Sequence, residues 1–128
     1  MSALVEVSGV VYEVADGDAI AAWIWEMANK EWEPDDFDKW GQDLLASEWS
    51  VQVVPVAAIT MRPELLASAE FQAELLVRVE TQIGLIRDRT PIPPLVLRGG
   101  DLFLFDGYAR THALKALGVS QCLAYVSQ

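Results

Sequence analysis

The sequence predicts an α+β fold, a small mixed sheet with packed helices, on three observations. Short β-branched runs are bounded by Gly and Pro, and apolar stripes at helical spacing lie between them. No internal repeat and no Ser/Gly-rich linker divides the chain. Its 128 residues, 52% of them hydrophobic, suit one compact core.

Val5-Glu6-Val7 and Val11-Tyr12-Glu13-Val14 alternate apolar and polar residues about Ser8-Gly9, which predicts a short strand or a hairpin pivoting at Gly9. Asp16-Gly17-Asp18 reads as a turn and helix start. Ile20, Trp23, Ile24 and Met27 then fall at i, i+3, i+4 and i+7, one face of a helix that ends before Pro34. A second helix starts near Pro34-Asp35, where proline tolerates the first turn and acids favour the positive end of the helix dipole. Its stripe is Phe37, Trp40, Leu44 and Leu45. Val51 to Val56 is a β-branched strand that Pro55 places at an edge or at its own end. After Pro63 comes the longest helix, with Leu65, Ala69, Ala73, Leu76, Val79, Ile83 and Ile86 as its stripe and Gly84 weakening its last turn. Pro91, Pro93 and Pro94 bar helix. Leu95-Val96-Leu97 forms a strand that turns at Gly99-Gly100 into Leu102-Phe103-Leu104-Phe105. Tyr108 to Leu117 is helical, Gly118 ends it, and Cys122 to Val126 closes the chain as a strand. The predicted order is β, α, α, β, α, β, β, α, β.

The formal net charge is −10, and it is lopsided: residues 1 to 50 hold twelve acidic and two basic side chains, residues 51 to 128 seven of each. The front half therefore lacks the clustered Lys and Arg that follow a nucleic-acid backbone, and direct DNA binding is disfavoured. No apolar run is long enough for a membrane span and no basic-then-apolar leader opens the chain, so the expectation is a soluble, cytoplasmic protein with no membrane partner. Cys122 alone makes no internal disulfide, and with His112 as the single histidine no zinc site forms. All five tryptophans fall in the first half. Trp23 and Trp40 sit on helical stripes and read as core. Trp25, Trp32 and Trp49 lie off them and suit a partner surface, a basic protein or a DNA-binding protein recognising residues 1–49. The alternative is that these helices cap the rest of the fold by aromatic packing.

Phe103 to Gly118 is where chemistry concentrates. A strand runs into Asp106-Gly107, and a helix opens with Tyr108-Ala109-Arg110. Gly107 permits a sharp turn and a close approach, and the first-turn N–H groups of Tyr108, Ala109 and Arg110 point beyond the helix end, where an anion sits well. The planar guanidinium of Arg110 can grip two phosphate oxygens. Three roles are open to Asp106: capping the helix, holding a magnesium ion, or accepting a proton from an attacking hydroxyl. The same residues also make an ordinary strand, turn and capped helix. His112 points to a different helical face from the loop, Cys122 reads as core, and Glu80, Arg87, Asp88 and Arg89 read as a solvated helix end, with the same cleft as their alternative place.

Pro91-Ile92-Pro93-Pro94-Leu95-Val96-Leu97, a Gly-Gly turn, and Leu102-Phe103-Leu104-Phe105-Asp106-Gly107-Tyr108-Ala109-Arg110-Thr111-His112-Ala113-Leu114-Lys115-Ala116-Leu117-Gly118 resemble the ParB/sulfiredoxin superfamily. That family shares a proline-flanked strand, a hairpin, an Asp-Gly-x-x-Arg phosphate loop and a helix ending Ala-x-x-x-Leu-Gly. The resemblance runs weakly back through Gly84-Leu85-Ile86 to Val53-Val54-Pro55-Val56, dividing the chain into an acidic, Trp-rich extension (1–49) packed on a ParB/sulfiredoxin-like domain (50–128). It implies a ligand that is a nucleotide or other phosphorylated small molecule, ATP or CTP with magnesium, held by Gly107, Tyr108, Ala109, Arg110 and Thr111. Asp106 would then be catalytic in phosphoryl transfer or nucleotide hydrolysis. The alternative is a non-catalytic interaction module. Departures from the pattern are plain. Members often carry His-His before the loop arginine, where this chain has Tyr108-Ala109; sulfiredoxin's reactive cysteine would align with Tyr108; and of the partitioning CTPases' Gly-Glu-Arg-Arg only Gly107 and Arg110 are kept.

Overall fold

The computed structural model of the protein describes residues 3–32, 34–35, 41, 48–62 and 67–128. The expected stripe of Phe37, Trp40, Leu44 and Leu45, and the Pro63 start of the long helix with Leu65, lie outside these residues.

The chain opens as a hairpin. Strand β1 (Ala3–Val7) pairs antiparallel with β2 (Val10–Val14) through Ser8-Gly9, both at positive φ. β2 turns Val10, Tyr12 and Val14 into the core while β1 stays largely exposed. Main-chain bonds from Glu13 N–H to Ile92 O (3.0 Å) and from Ile92 N–H to Val11 O (3.1 Å) fasten the hairpin to the proline-rich segment. Arg89 adds an exposed ion pair to Glu6. A 3₁₀ turn (Gly17–Ala19) leads into helix α1 (Ile20–Glu31), where Ile20, Ile24 and Met27 of the expected stripe are buried, Trp23 is partly buried against the core, and Ala28 joins them.

Four strands form the main sheet in the order β3 (Trp49–Pro55), β6 (Gln121–Ser127), β4 (Leu95–Leu97), β5 (Leu104–Asp106). β3 runs antiparallel to β6, β4 parallel to β6, and β5 antiparallel to β4. The central strands β4 and β6 are buried on both faces, which explains why they read as continuous apolar runs. Pro55, without an N–H to give, ends the edge strand. The hairpin and α1 belong to the same core: the Trp23 ring packs tilted against Tyr125 with centroids 5.6 Å apart, and Ala15 N–H donates to the Tyr125 hydroxyl at 2.9 Å.

Helix α2 (Ala69–Arg87) begins at Ser68, whose hydroxyl accepts from Phe71 N–H, and it packs against helix α3 (Tyr108–Ala116). Its inward face keeps Val79, Ile83 and Ile86 of the expected stripe and corrects the rest. Ala69, Ala73 and Leu76 are exposed, Leu76 at 69%, and the buried residue is Leu75 at 9%. Leu75-Leu76-Val77 is a continuous apolar run that fits two helical arms. The arm chosen is the one that lets Phe71 meet the Tyr108 ring and Ile86 reach the core. Gly84 stays within the helix, which runs on to Arg87.

The hairpin β4–β5 also shifts. Its second strand starts at Leu104 rather than Leu102, because Leu102 takes a positive φ and Arg98 closes the turn, bonding Asp101 at 2.7 and 3.1 Å and lying over the Phe103 ring. Gly118 ends α3 at φ 72°, as its place in the sequence predicts.

Candidate functional site

The β5–α3 junction is built from glycine. Asp106 ends β5 opposite Val96, and Gly107 then turns the chain at φ 116°, ψ 29°. The backbone angle demands glycine, and a Cβ at this position would also force Leu95 Cδ2 to shift. Thr111, fully buried, locks the turn: its N–H and its hydroxyl both donate to Gly107 O at 2.8 Å.

Arg110 folds back from the first turn of α3 onto the residue before the turn. Its Nη2 donates to Asp106 Oδ2 at 2.8 Å and to Pro94 O at 3.4 Å, with the two side chains 13% and 20% exposed. Asp106 thus makes no side-chain cap on α3; it holds the guanidinium instead. The Nη2 nitrogen of the guanidinium thus serves two acceptors of the protein itself. Its Nε is buried with no partner among the described residues. The charge is felt deeper in the core: burial pushes the Tyr12 phenol up to about 12, a rise opposed by the Leu123 backbone and by Arg110.

A cleft of about 690 Å³ opens above this junction. Its floor is Asp106, Gly107, Tyr108, Ala109 and Arg110, five of the six site residues named from the sequence. One side is α1, through Trp23, Met27 and Trp32; the facing side is α2, through Phe71, Glu74 and Arg78, with Arg62 joining the lining. The Tyr108 hydroxyl accepts from Arg62 N–H at 2.9 Å, and Phe71 meets the Tyr108 ring edge-on at 5.5 Å, so the long helix and the loop before it are tied to the start of α3. The first-turn amides of α3 have no acceptor within their own helix, and the residues that carry them line the cleft.

Thr111, the sixth site residue, does not line the cleft, since its hydroxyl serves Gly107. His112 is half-buried and also outside it; burial and the nearby Lys115 hold its imidazole below the usual range. Cys122 is core, its thiol pushed up to about 11 by burial. Glu80, Arg87, Asp88 and Arg89 are exposed and lie away from the lining, which α2 enters between Phe71 and Gln82. Sequence reasoning missed Arg62, Phe71 and Arg78, and offered Trp32 to a partner surface or to aromatic packing on the fold rather than to this cleft. Trp23, Trp25, Trp32 and Trp49 are all partly buried, and Trp49 packs on the core. Among the described residues no group of three His, Cys, Asp or Glu gathers in a way that could hold a metal ion. No described helix is long and apolar enough to cross a membrane.

No family model matches the sequence, and no curated protein matches it. Among solved structures the chain is similar to a ParB N-domain of the pNOB8-like type, with 20% identity over 62% of this chain and a TM-score of 0.48. It is likewise similar to sulfiredoxin from Arabidopsis thaliana, with 18% identity over 60% of this chain and 83% of the other, at a TM-score of 0.49. A second pNOB8-like ParB N-domain structure gives 23% identity over 62% of this chain and a TM-score of 0.43. The chain spans 30% and 27% of the length of the two ParB chains.

Proposed function

We propose that the cleft binds a phosphorylated small molecule, a nucleoside triphosphate such as ATP or CTP, with its phosphates at the N-terminus of α3. The observation that carries this is the convergence of the first-turn amides of Tyr108, Ala109 and Arg110 with Arg62, Arg78 and Arg110 on one cleft. In a chain of net charge −10, half of the six arginines line that single cleft. Helix amides and arginines are the two groups that recognise phosphate oxygens best. The volume falls within the roughly 300–1,000 Å³ of small-molecule sites.

Each residue has a defined part. Gly107 brings the backbone close to the ligand, and the amides beyond it donate to phosphate oxygens. Asp106 orients Arg110, whose guanidinium holds the turn against Pro94 and adds its dipole to the floor. Arg78, exposed on α2 one turn beyond Glu74, adds a guanidinium to the same lining. Magnesium fits poorly as a protein-held ion, because Asp106 is committed to Arg110 and no metal-binding group of three gathers among the described residues. Phosphoryl transfer would require Asp106 to release Arg110, so binding is the activity this arrangement supports best. The reading places the protein in the cytoplasm, where such nucleotides are.

Calorimetric titration with the magnesium salts of ATP, CTP and ADP tests it. The wild type should bind at least one of them, Arg78→Ala should weaken that binding roughly three- to tenfold, as loss of one partly solvated charge contact does, and Arg110→Ala should abolish it. Absence of binding by the wild type, or unchanged affinity in both variants, would overturn the reading.

A further inference from the structure

The cleft is aromatic on the side that the phosphate reading leaves unused. Trp32 ends α1 and lines it, with its ring 6.0 Å from Phe105 beneath; Trp23, one side of the same helix, lines it with its ring 5.6 Å from Tyr125. Both indoles are partly buried, so each rests on an inner aromatic ring and keeps surface toward the cleft. Opposite them stands Phe71, held edge-on by Tyr108. Inner rings fix the position of the outer ones, which lowers the entropy lost when a flat ligand stacks there.

We infer that α1, which precedes the strand and helix elements carrying the phosphate site, supplies a ring-binding wall, with Trp32 as the residue that selects a phosphorylated ligand bearing a planar base over phosphate alone. Charge complementarity argues for this occupant. The first turn of α3 and the lining arginines suit phosphates, and among the described residues α1 adds only Trp23, Met27 and Trp32 to the lining, an apolar surface. A nucleotide has the same polarity from one end to the other. The inference rests on the phosphate reading above and adds to it the residue that recognises the base.

The test compares tripolyphosphate with ATP and CTP by calorimetric titration of the intact chain, in the wild type, Trp32→Phe and Trp32→Leu. Leucine keeps apolar bulk over Phe105 and removes the flat face; phenylalanine keeps a face. One of the nucleotides should bind the wild type about tenfold more tightly than tripolyphosphate, the order expected for stacking one base on an aromatic ring. Trp32→Leu should remove that preference while leaving tripolyphosphate affinity unchanged, which also reports that the variant is folded, and Trp32→Phe should keep most of it. Equal affinity of the wild type for tripolyphosphate and both nucleotides, or a preference untouched in Trp32→Leu, overturns the ring wall and leaves the phosphate site standing. Failure of all three probes to bind the wild type overturns both.

Discussion

The Arg110 guanidinium rests on the Asp106 carboxylate, 2.8 Å away across the strand-to-helix turn, with Gly107 between them. The two residues are four apart, yet one ends a strand and the other lies in the first turn of a helix, so the pair measures the turn itself. Both side chains are mostly buried, and removing one leaves the other charge poorly paired. A double-mutant cycle on Asp106→Ala and Arg110→Ala, read by urea unfolding, should show a coupling of about 1–3 kcal/mol. Additive effects would mean that the pair does not hold the turn.

Two glycines should answer alanine in opposite directions. Gly107→Ala takes an adverse φ and crowds Leu95 Cδ2, and should cost about 2 kcal/mol or more. Gly84 sits in α2 with nothing within 4 Å of an added Cβ, so Gly84→Ala should stabilise by about 0.5–1 kcal/mol. Thermal melting of the two variants checks both signs.

Leu75 and Leu76 are neighbours with different fates. Leu75→Ala should cost about 2–3 kcal/mol, while Leu76→Ala, on the solvent side, should stay within about 0.5 kcal/mol. Chemical denaturation of each variant distinguishes the observed helix face from the one the sequence stripe suggests.

Buried acids predict alkaline instability. The Tyr12 phenol is raised from 10.0 to about 12 and the Cys122 thiol from 9.0 to about 11, both chiefly by burial. The unfolded chain loses these protons first, so above pH 9 it binds fewer than the folded one and stability falls as pH rises, to be lost through pH 11 to 12. Melting temperatures measured from pH 8 to 11 should drop steeply in the wild type and less steeply in Tyr12→Phe with Cys122→Ala. A flat wild-type profile would contradict the burial of these groups.

Much of this was legible where the chain itself dictates the backbone. Gly9, Pro55, Gly107 and Gly118 mark a hairpin, an edge strand, a turn and a helix end because no other residue type suits those angles or lacks that N–H. Asp106 to Arg110 could be named as a site because strand, glycine and helix follow one another directly. The face of α2 was not legible, since three consecutive apolar residues satisfy either arm until Phe71 finds Tyr108. Arg62, Arg78 and Trp32 reach the cleft from three separate segments, and only packing brings them there. The Asp106 to Arg110 pairing was not legible either, since the end of a strand and the first turn of a helix meet only once Gly107 has set the angle between them.

The central claim is that a phosphate chain sits on the first-turn amides of α3. Its most direct test is a ¹H–¹⁵N spectrum of the labelled protein during titration with ATP or CTP. The account predicts that the Gly107, Tyr108, Ala109 and Arg110 amides move first and furthest, together with the Arg78 side chain. Shifts confined to other parts of the molecule, or none with either nucleotide, would contradict it.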